Sequence, residues 1–246
     1  MADLNNKIAV ITGAGSGLGR AAAIVFARQG ATVFCGDISG AEQETAANIG
    51  AAARAFHCDV TQEAQVEAII RAALDEFGRV DAVLNVAGVA FFGDLGAIEM
   101  SDYDRVLDVD LRGVVHGTKH AAKVMSAAGG GVILNWASVA AIGAKPRTSI
   151  YSTAKAGVVA ITKAAAIEFG RFGVRANAIL PGLFLTEAAS QAPPGMIEQL
   201  ILGIPARRGG QPEECAEFAA FLASDQAKFI NGAVLVIDGG QSAQLA

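Results

Sequence analysis

The sequence predicts an α/β protein, a doubly wound parallel sheet of about seven strands with helices on both faces. Three features predict it. Short apolar, β-branched runs alternate with longer Ala-rich runs along all 246 residues. The strand-like runs are apolar nearly throughout, without alternation, as strands buried on both faces are. A glycine turn, "TGAGSGLG", lies directly between the first strand-like run and the first helix-like run.

Taken in order, "KIAVIT" is the first strand and "GRAAAIVFARQG" the first helix, closed by Gly30. "ATVFCGD" is a second buried strand, "AEQETAANIG" a helix and "RAFHCDV" a third strand. "TQEAQVEAIIRAALDEFG" follows as a longer helix, with Thr61 expected as its N-cap and Gly78 at its end. "VDAVLNVAG" is the fourth strand, and Ser101 begins a helix running to 128. "GGVILNWAS" is the fifth strand, and Tyr151 opens the next helix. "VRANAILPG", "PEECAEFAAFLAS" and "AVLVIDGG" complete the pattern as strand, helix and strand. No repeat or low-complexity linker divides the chain, so residues 1–246 read as one domain. The loosest stretch is 183–212, which carries four of the six prolines and is expected to be a substrate lid rather than a plain surface excursion.

Composition narrows the function classes. Hydrophobic residues make up 52% of the chain and charged ones only 17%, so part of the apolar surface is expected to lie against another subunit. The net charge is −5 with no Lys/Arg block, which argues against nucleic acid as a partner. Cys35, Cys58 and Cys215 have no CxxC spacing and read as apolar fillers in a reducing compartment. His57, His116 and His120 form no metal motif, and no metal is expected. The opening "MADLNNKIAVITGAG" holds no long apolar run, so neither a signal peptide nor a membrane span is expected, and the expected location is the cytoplasm.

Two constellations carry chemistry. Gly13, Gly17 and Gly19 fit G-x-x-x-G-x-G between strand and helix; they permit a tight turn whose helix N-terminus offers free N–H groups to a pyrophosphate. Ser16 and Leu18 lie between them and join the cofactor-binding set. Asp37 ends the second strand, where it either accepts hydrogen bonds from ribose hydroxyls or closes the "DISG" turn. Its charge would repel a 2′-phosphate, and neighbouring Gly36 and Ile38 offer no cation, which favours NAD over NADP. The second constellation is Tyr151 and Lys155, one of only two tyrosines set one helical turn before a lysine. At this spacing phenol and ammonium share a helix face, and a nearby cation favours a phenolate.

The pieces "TGAGSGLG", "CDV" at 58–60, "NVAG" at 85–88, "WASVAA", "YSTAK", "PGLFLT" and the ending "INGAVLVIDGG" stand in one order along nearly the whole chain. Together they resemble the short-chain dehydrogenase/reductase family, which implies a Rossmann fold and a nicotinamide cofactor. In that resemblance Tyr151 exchanges a proton with the substrate oxygen, Lys155 assists it and holds the nicotinamide ribose, and Ser138 hydrogen-bonds the same oxygen. Asp59 and Val60 would flank the adenine. Asn85, Ala87 and Gly88 would line the cofactor, although Asn85 reads equally well as a tie between strands. Pro181 and Gly182 would turn the chain beside the nicotinamide, and Thr186 would reach its carboxamide or else cap a helix.

One position departs from the family. "LDVDLRG" carries Asp110 where the family has Asn, which supports a water chain to the lysine. Asp110 is therefore a candidate fourth catalytic residue of altered character. Ala90, Phe91, Phe92, Ala140, Arg147, Leu183 and Phe184 are the expected substrate pocket, mostly apolar, for a hydrophobic small molecule. The expected activity is NAD(H)-dependent interconversion of a secondary alcohol and a ketone. The alternatives are a 3-oxoacyl-[acyl-carrier-protein] reductase using NADPH and a cofactor-binding sensor or scaffold without chemistry. The resemblance also implies a homotetramer paired through the helices at 101–126 and 150–171.

Overall fold

The computed structural model describes residues 2–190 and 192–243. Seven parallel strands form one sheet in the order β3-β2-β1-β4-β5-β6-β7. They are β1 (Ile8–Thr12), β2 (Thr32–Asp37), β3 (Ala53–His57), β4 (Ala82–Asn85), β5 (Gly131–Trp136), β6 (Val174–Pro181) and β7 (Val234–Ile237). Helices α1 (Gly17–Arg28), α2 (Glu42–Ile49), α3 (Glu63–Phe77), α4 (Met100–Leu107), α5 (Gly113–Ala128), α6 (Ser149–Phe169), α7 (Glu187–Ser190), α8 (Met196–Leu202) and α9 (Pro212–Ala223) connect or flank them.

Strand direction explains the apolar runs. Successive residues of a strand point to opposite faces, and here both faces are covered. On β1, Ala9 and Ile11 join the core beneath α1 and α9, while Ile8 and Val10 join the core beneath α3 and α5. Strands β4 and β5 divide in the same way, Leu84 and Leu134 to one side and Val83 and Ile133 to the other. The order of the strands reverses at β1, which pairs with β2 on one side and β4 on the other. In an open α/β sheet that reversal opens a crevice at the carboxyl ends of the strands, and this is where a ligand binds.

Several local expectations need correction. Thr61 does not cap α3; Gln62 does, while Thr61 donates through its N–H and Oγ to Asp59 Oδ1 at 2.9 and 2.8 Å. A carboxylate two residues back accepts both donors in an Asx-type turn, and this displaces the cap by one position. The helix expected from Ser101 starts at Met100, and the one expected from Tyr151 starts at Ser149. Between α4 and α5 the helical hydrogen bonding widens into a π turn at Asp108–Arg112. The segment 183–212 is less irregular than its prolines suggest, since α7 and α8 both lie in it. Its base is fastened by a parallel bridge between Phe184 and Gly210.

Candidate active site

The glycine turn closes on its neighbours. Gly13 and Gly17 have φ of 73° and 50°, a region that costs glycine nothing and other residues a good deal. A Cβ on Gly13 would stand 2.7 Å from Ala87 N, and one on Gly19 2.0 Å from Gly13 O. The turn therefore sits directly against the chain leaving β4. Thr45 of α2 braces it by donating through Oγ1 to Ala14 O at 2.9 Å. Asp37 is part of the same frame: Oδ2 accepts from Gly15 N at 2.9 Å, and Oδ1 accepts from Ser39 N and Oγ at 2.9 and 2.8 Å. Asp37 thus closes its own turn and fixes the glycine turn, with a carboxylate held at the end of β2. Ser16 is exposed at the start of α1, and Leu18 is half-buried against the core.

Two residues outside the expected set complete this corner. Gly17 N donates to Glu187 Oε2 at 3.0 Å, and Arg20 Nη1 donates to Glu187 Oε1 at 3.3 Å. The N-terminus of α1 thus takes a carboxylate, which is direct evidence that it suits an anion. The glycines that leave no space for a Cβ and this anion-accepting terminus fit the pyrophosphate of a dinucleotide. Thr186 lies beside them, its Cγ2 3.4 Å from where a Gly17 Cβ would stand.

The second constellation gathers around α6. Tyr151 and Lys155 share a face of that helix, with Lys155 Nζ 5.6 Å from the centre of the Tyr151 ring. Lys155 is 4% exposed and donates to Trp136 O at 3.2 Å, which ties α6 to the end of β5. Ser138 follows Trp136 by two residues and opens a short 3-10 turn, Val139–Ala141, that packs against α6. Its Oγ accepts from Ala140 N at 3.2 Å, which leaves the hydroxyl proton to donate elsewhere.

Asp110 sits in the π turn and is 0% exposed. Oδ1 accepts from Val89 N at 2.7 Å, and Oδ2 lies 3.3 Å from Lys155 Nζ, an ion pair short of an aligned hydrogen bond. Burial pushes the Asp110 carboxyl above its ordinary value, and the Lys155 charge and the Val89 N–H pull against that rise. Single π turns inside α-helices occur often at functional sites. Here the turn carries the acidic side chain to the buried ammonium. Gly88 leaves room for both, since a Cβ there would be 3.3 Å from Asp110 Oδ1 and from Lys155 Nζ.

The other expected residues divide. Ala87 and Gly88 line the step from β4 to the site, and Asp59 and Val60 lie in the turn just beyond β3, with Val60 O contacted by His116 Nδ1 at 3.0 Å. Asn85 takes the structural option: it is 2% exposed and its Nδ2 donates to Asn135 Oδ1 at 2.7 Å, tying β4 to β5. Pro181 ends β6, and Gly182 N donates to Ile237 O at 3.0 Å. Ala90 and Phe92 are exposed, Phe91 packs beside Val106 and Ile150, and Ala140 lies in the 3-10 turn. Arg147 holds a φ of 69° in the exposed loop before α6 and pairs loosely with Asp94 at 3.7 Å. Phe184 is 7% exposed in the main core, and its ring packs on Gly210. Leu183 and Phe184 border a cavity of about 90 Å³ with Arg208 and Asp238.

The three thiols are free and buried, and burial pushes each up to about 12. Among the described residues no cluster of three His, Cys, Asp or Glu side chains could hold a metal, and no helix is long and apolar enough to cross a membrane.

The chain is similar to known proteins along nearly its whole length. Residues 13–242 match a family model described as Enoyl-(Acyl carrier protein) reductase. The levodione reductase of Leifsonia aquatica is 39% identical over 97% of this chain and 95% of its own length. The cis-4-hydroxycyclohexanecarboxylate dehydrogenase of Sinomonas cyclohexanicum is 40% identical over 96% of this chain and 97% of its own. A solved 3-ketoacyl-(acyl-carrier-protein) reductase of Brucella melitensis, complexed with NADH, superposes with a TM-score of 0.91. It is 36% identical and covers 98% of this chain and 100% of its own. The chain belongs to the short-chain dehydrogenase/reductase family. It is an oxidoreductase on a Rossmann fold.

Proposed function

We propose that the protein is an NAD(H)-dependent dehydrogenase of hydrophobic secondary alcohols, or a reductase of the matching ketones, with Tyr151 as acid and base. The observation that carries this reading is the buried Lys155, paired to Asp110 and set beneath the Tyr151 ring. A buried ammonium is costly unless it is paired, and here Asp110 pairs with it at 3.3 Å. Gly13, Gly17, Gly19 and Asp37 would hold the dinucleotide, with Thr186 at its nicotinamide end. When bound, the nicotinamide supplies the hydride acceptor or donor. In the oxidation direction Ser138 donates a hydrogen bond to the substrate oxygen, and the Tyr151 phenolate takes the alcohol proton as the carbonyl forms. Reduction runs the same proton the other way. Lys155 holds the phenolate charge electrostatically, and Asp110 holds Lys155.

Asp37 supports NAD over NADP, because its carboxylate stands at the end of β2 with Gly36 and Ile38 beside it and is hydrogen-bonded to Gly15 and Ser39, neither of them a cation. Wild type should prefer NAD by about tenfold or more in kcat/KM, the factor that ~1.4 kcal/mol amounts to. Asp37→Ala should narrow the gap, and equal use of both cofactors by wild type would contradict this. The apolar neighbours Phe91 and Ala140 support a hydrophobic substrate, and the ring alcohol in the name of one relative makes an alicyclic alcohol the first class to try. The test is a panel of cyclic and open-chain secondary alcohols and ketones, followed by NADH absorbance. Turnover of none of them would remove the reading.

A second reading, reduction of 3-oxoacyl groups on an acyl carrier protein, is favoured by the neighbour of that activity. The net charge of −5 counts against docking an acidic carrier. The assembly in this proposal is a cytoplasmic homotetramer, and residues 183–212 form the lid over the substrate.

A further inference from the structure

We propose that Glu187 is a displaceable latch, whose carboxylate sits on the anion site at the start of α1 and is expelled by the cofactor pyrophosphate as it binds. The proposal rests on the dinucleotide reading above and adds to it a competition within the chain.

Both oxygens of the Glu187 carboxylate are used. Oε2 accepts from Gly17 N at 3.0 Å and Oε1 from Arg20 Nη1 at 3.3 Å. These partners lie 170 and 167 positions away in sequence, so the contact is made by the fold and not by a local turn. Gly17 is the first residue of α1, a helix of 12 residues, and its N–H is one of the groups left without an intrahelical partner. That group and the helix dipole are what a pyrophosphate would need in this fold. One N–H cannot serve two anions at normal hydrogen-bond distance, and their like charges repel. Thr186 strengthens the overlap, because its side chain already covers Gly17.

The neighbouring segment is built to release. Leu183–Leu185 is fastened to Gly210 by Leu185 N→Gly210 O at 2.9 Å and Gly210 N→Leu183 O at 3.0 Å. Thr186 and Glu187 begin immediately beyond that fastening, at the head of the four-residue helix α7. The Glu187 side chain is 56% exposed and the Arg20 pair 29%, so the contact is solvent-screened and weak enough to exchange. Arg20 does not depend on Glu187 for its position: Nε donates to Gly15 O at 3.0 Å, and Nη2 also bonds Gly15 O. The guanidinium therefore stays at the turn when the carboxylate leaves, ready for the incoming anion. Hydrogen bonds from its own backbone N–H and from Gly17 N, with the Arg20 charge, hold the Glu187 carboxyl below its ordinary value against some desolvation. The latch is thus ionised at neutral pH.

The test compares wild type with Glu187→Ala and Glu187→Gln. NADH affinity is read by fluorescence titration, and ADP-ribose and adenosine affinity by calorimetry. ADP-ribose carries the pyrophosphate without the nicotinamide, and adenosine carries neither. Both variants should bind NADH and ADP-ribose about two- to fivefold more tightly than wild type, the range that a carboxylate's attraction to a helix N-terminus corresponds to. Adenosine affinity should be the same in all three proteins. Unchanged or weaker NADH and ADP-ribose binding in both variants would overturn the latch. An equal gain for adenosine would also overturn it, since the change would then be a general loosening of the cleft. If wild type itself binds neither NADH nor ADP-ribose, the dinucleotide reading fails with it. If wild type binds both and the variants match it, the latch alone fails.

Discussion

Asp110 is buried against the Lys155 ammonium, and its surroundings define what it can do. It faces the Lys155 ammonium at 3.3 Å, takes the Val89 N–H, and has the charge of Arg105 at longer range. An Asn could donate to a water or a carbonyl at this place, whereas an ionised Asp only accepts. Burial raises the Asp110 carboxyl, so it takes up its proton at a higher pH than an exposed aspartate. When it does, it stops compensating Lys155, and the acid limb of the kcat profile should carry that step. Asp110→Asn should keep substantial activity and lose this step. Asp110→Ala should lower kcat by about tenfold or more, because removing one partner strands a buried charge. The measurement is kcat against pH for the three proteins. A Asp110→Ala profile that overlays wild type in height and shape would remove Asp110 from the mechanism.

At the scale of elements, α3 and α5 are joined by charge as well as by packing. Glu63 opens α3 and accepts from Lys119 at 2.7 Å and pairs with His120 at 3.0 Å, both on α5. The Lys119 hydrogen bond first, and His120 second, hold the Glu63 carboxyl down from 4.5 to about 2. A carboxyl lowered by folding stabilises the folded state above its unfolded value and loses that contribution as pH falls through the folded value. The window therefore runs from 4.5 down to about 2. Thermal unfolding followed across that window should fall more steeply for wild type than for Glu63→Gln. The effect is modest, since the group is exposed. Parallel curves would show that the pair does not contribute.

The elements also mark what the sequence could reveal. Strands buried on both faces are written into local composition, so β1, β2, β4, β5 and β6 were legible as apolar runs. The Tyr151–Lys155 pair was legible because helical spacing alone puts the two on one face. The π turn at Asp108–Arg112 was not, since "LDVDLRG" has ordinary helical residues and nothing local marks the widening at which Asp110 meets Lys155 and Val89. Thr61 looks like a cap in sequence because the competing carboxylate of Asp59 forms a turn of the same residue types. The bridge between Phe184 and Gly210 is invisible to local pattern, because the two residues lie 26 positions apart. The role of Glu187 is silent in the sequence for the same reason, its partners being separated from it by most of the chain. The only sequence signal was its position directly after Thr186.

At the scale of the whole molecule, the lean charged fraction has a visible counterpart. Ile167 is 82% exposed, Phe172 41% and Phe229 103%, large apolar side chains that single-chain packing leaves uncovered. Ile167 and Phe172 lie at the C-terminal end of α6 and just beyond it, next to the open concavity bordered by Phe169. Light scattering should report a tetramer of the 25.0 kDa chain at micromolar concentration, and a monomer would contradict the assembly proposed above. The proposed activity depends on Tyr151 as the group that exchanges the proton. The measurement that tests it most directly is kcat with the best substrate of the panel for wild type and Tyr151→Phe, beside NADH affinity by fluorescence titration. The predicted result is a loss of about a hundredfold or more in kcat, the scale of general acid–base catalysis, with NADH affinity unchanged. A Tyr151→Phe enzyme that turns over at the wild-type rate while binding NADH normally would contradict it.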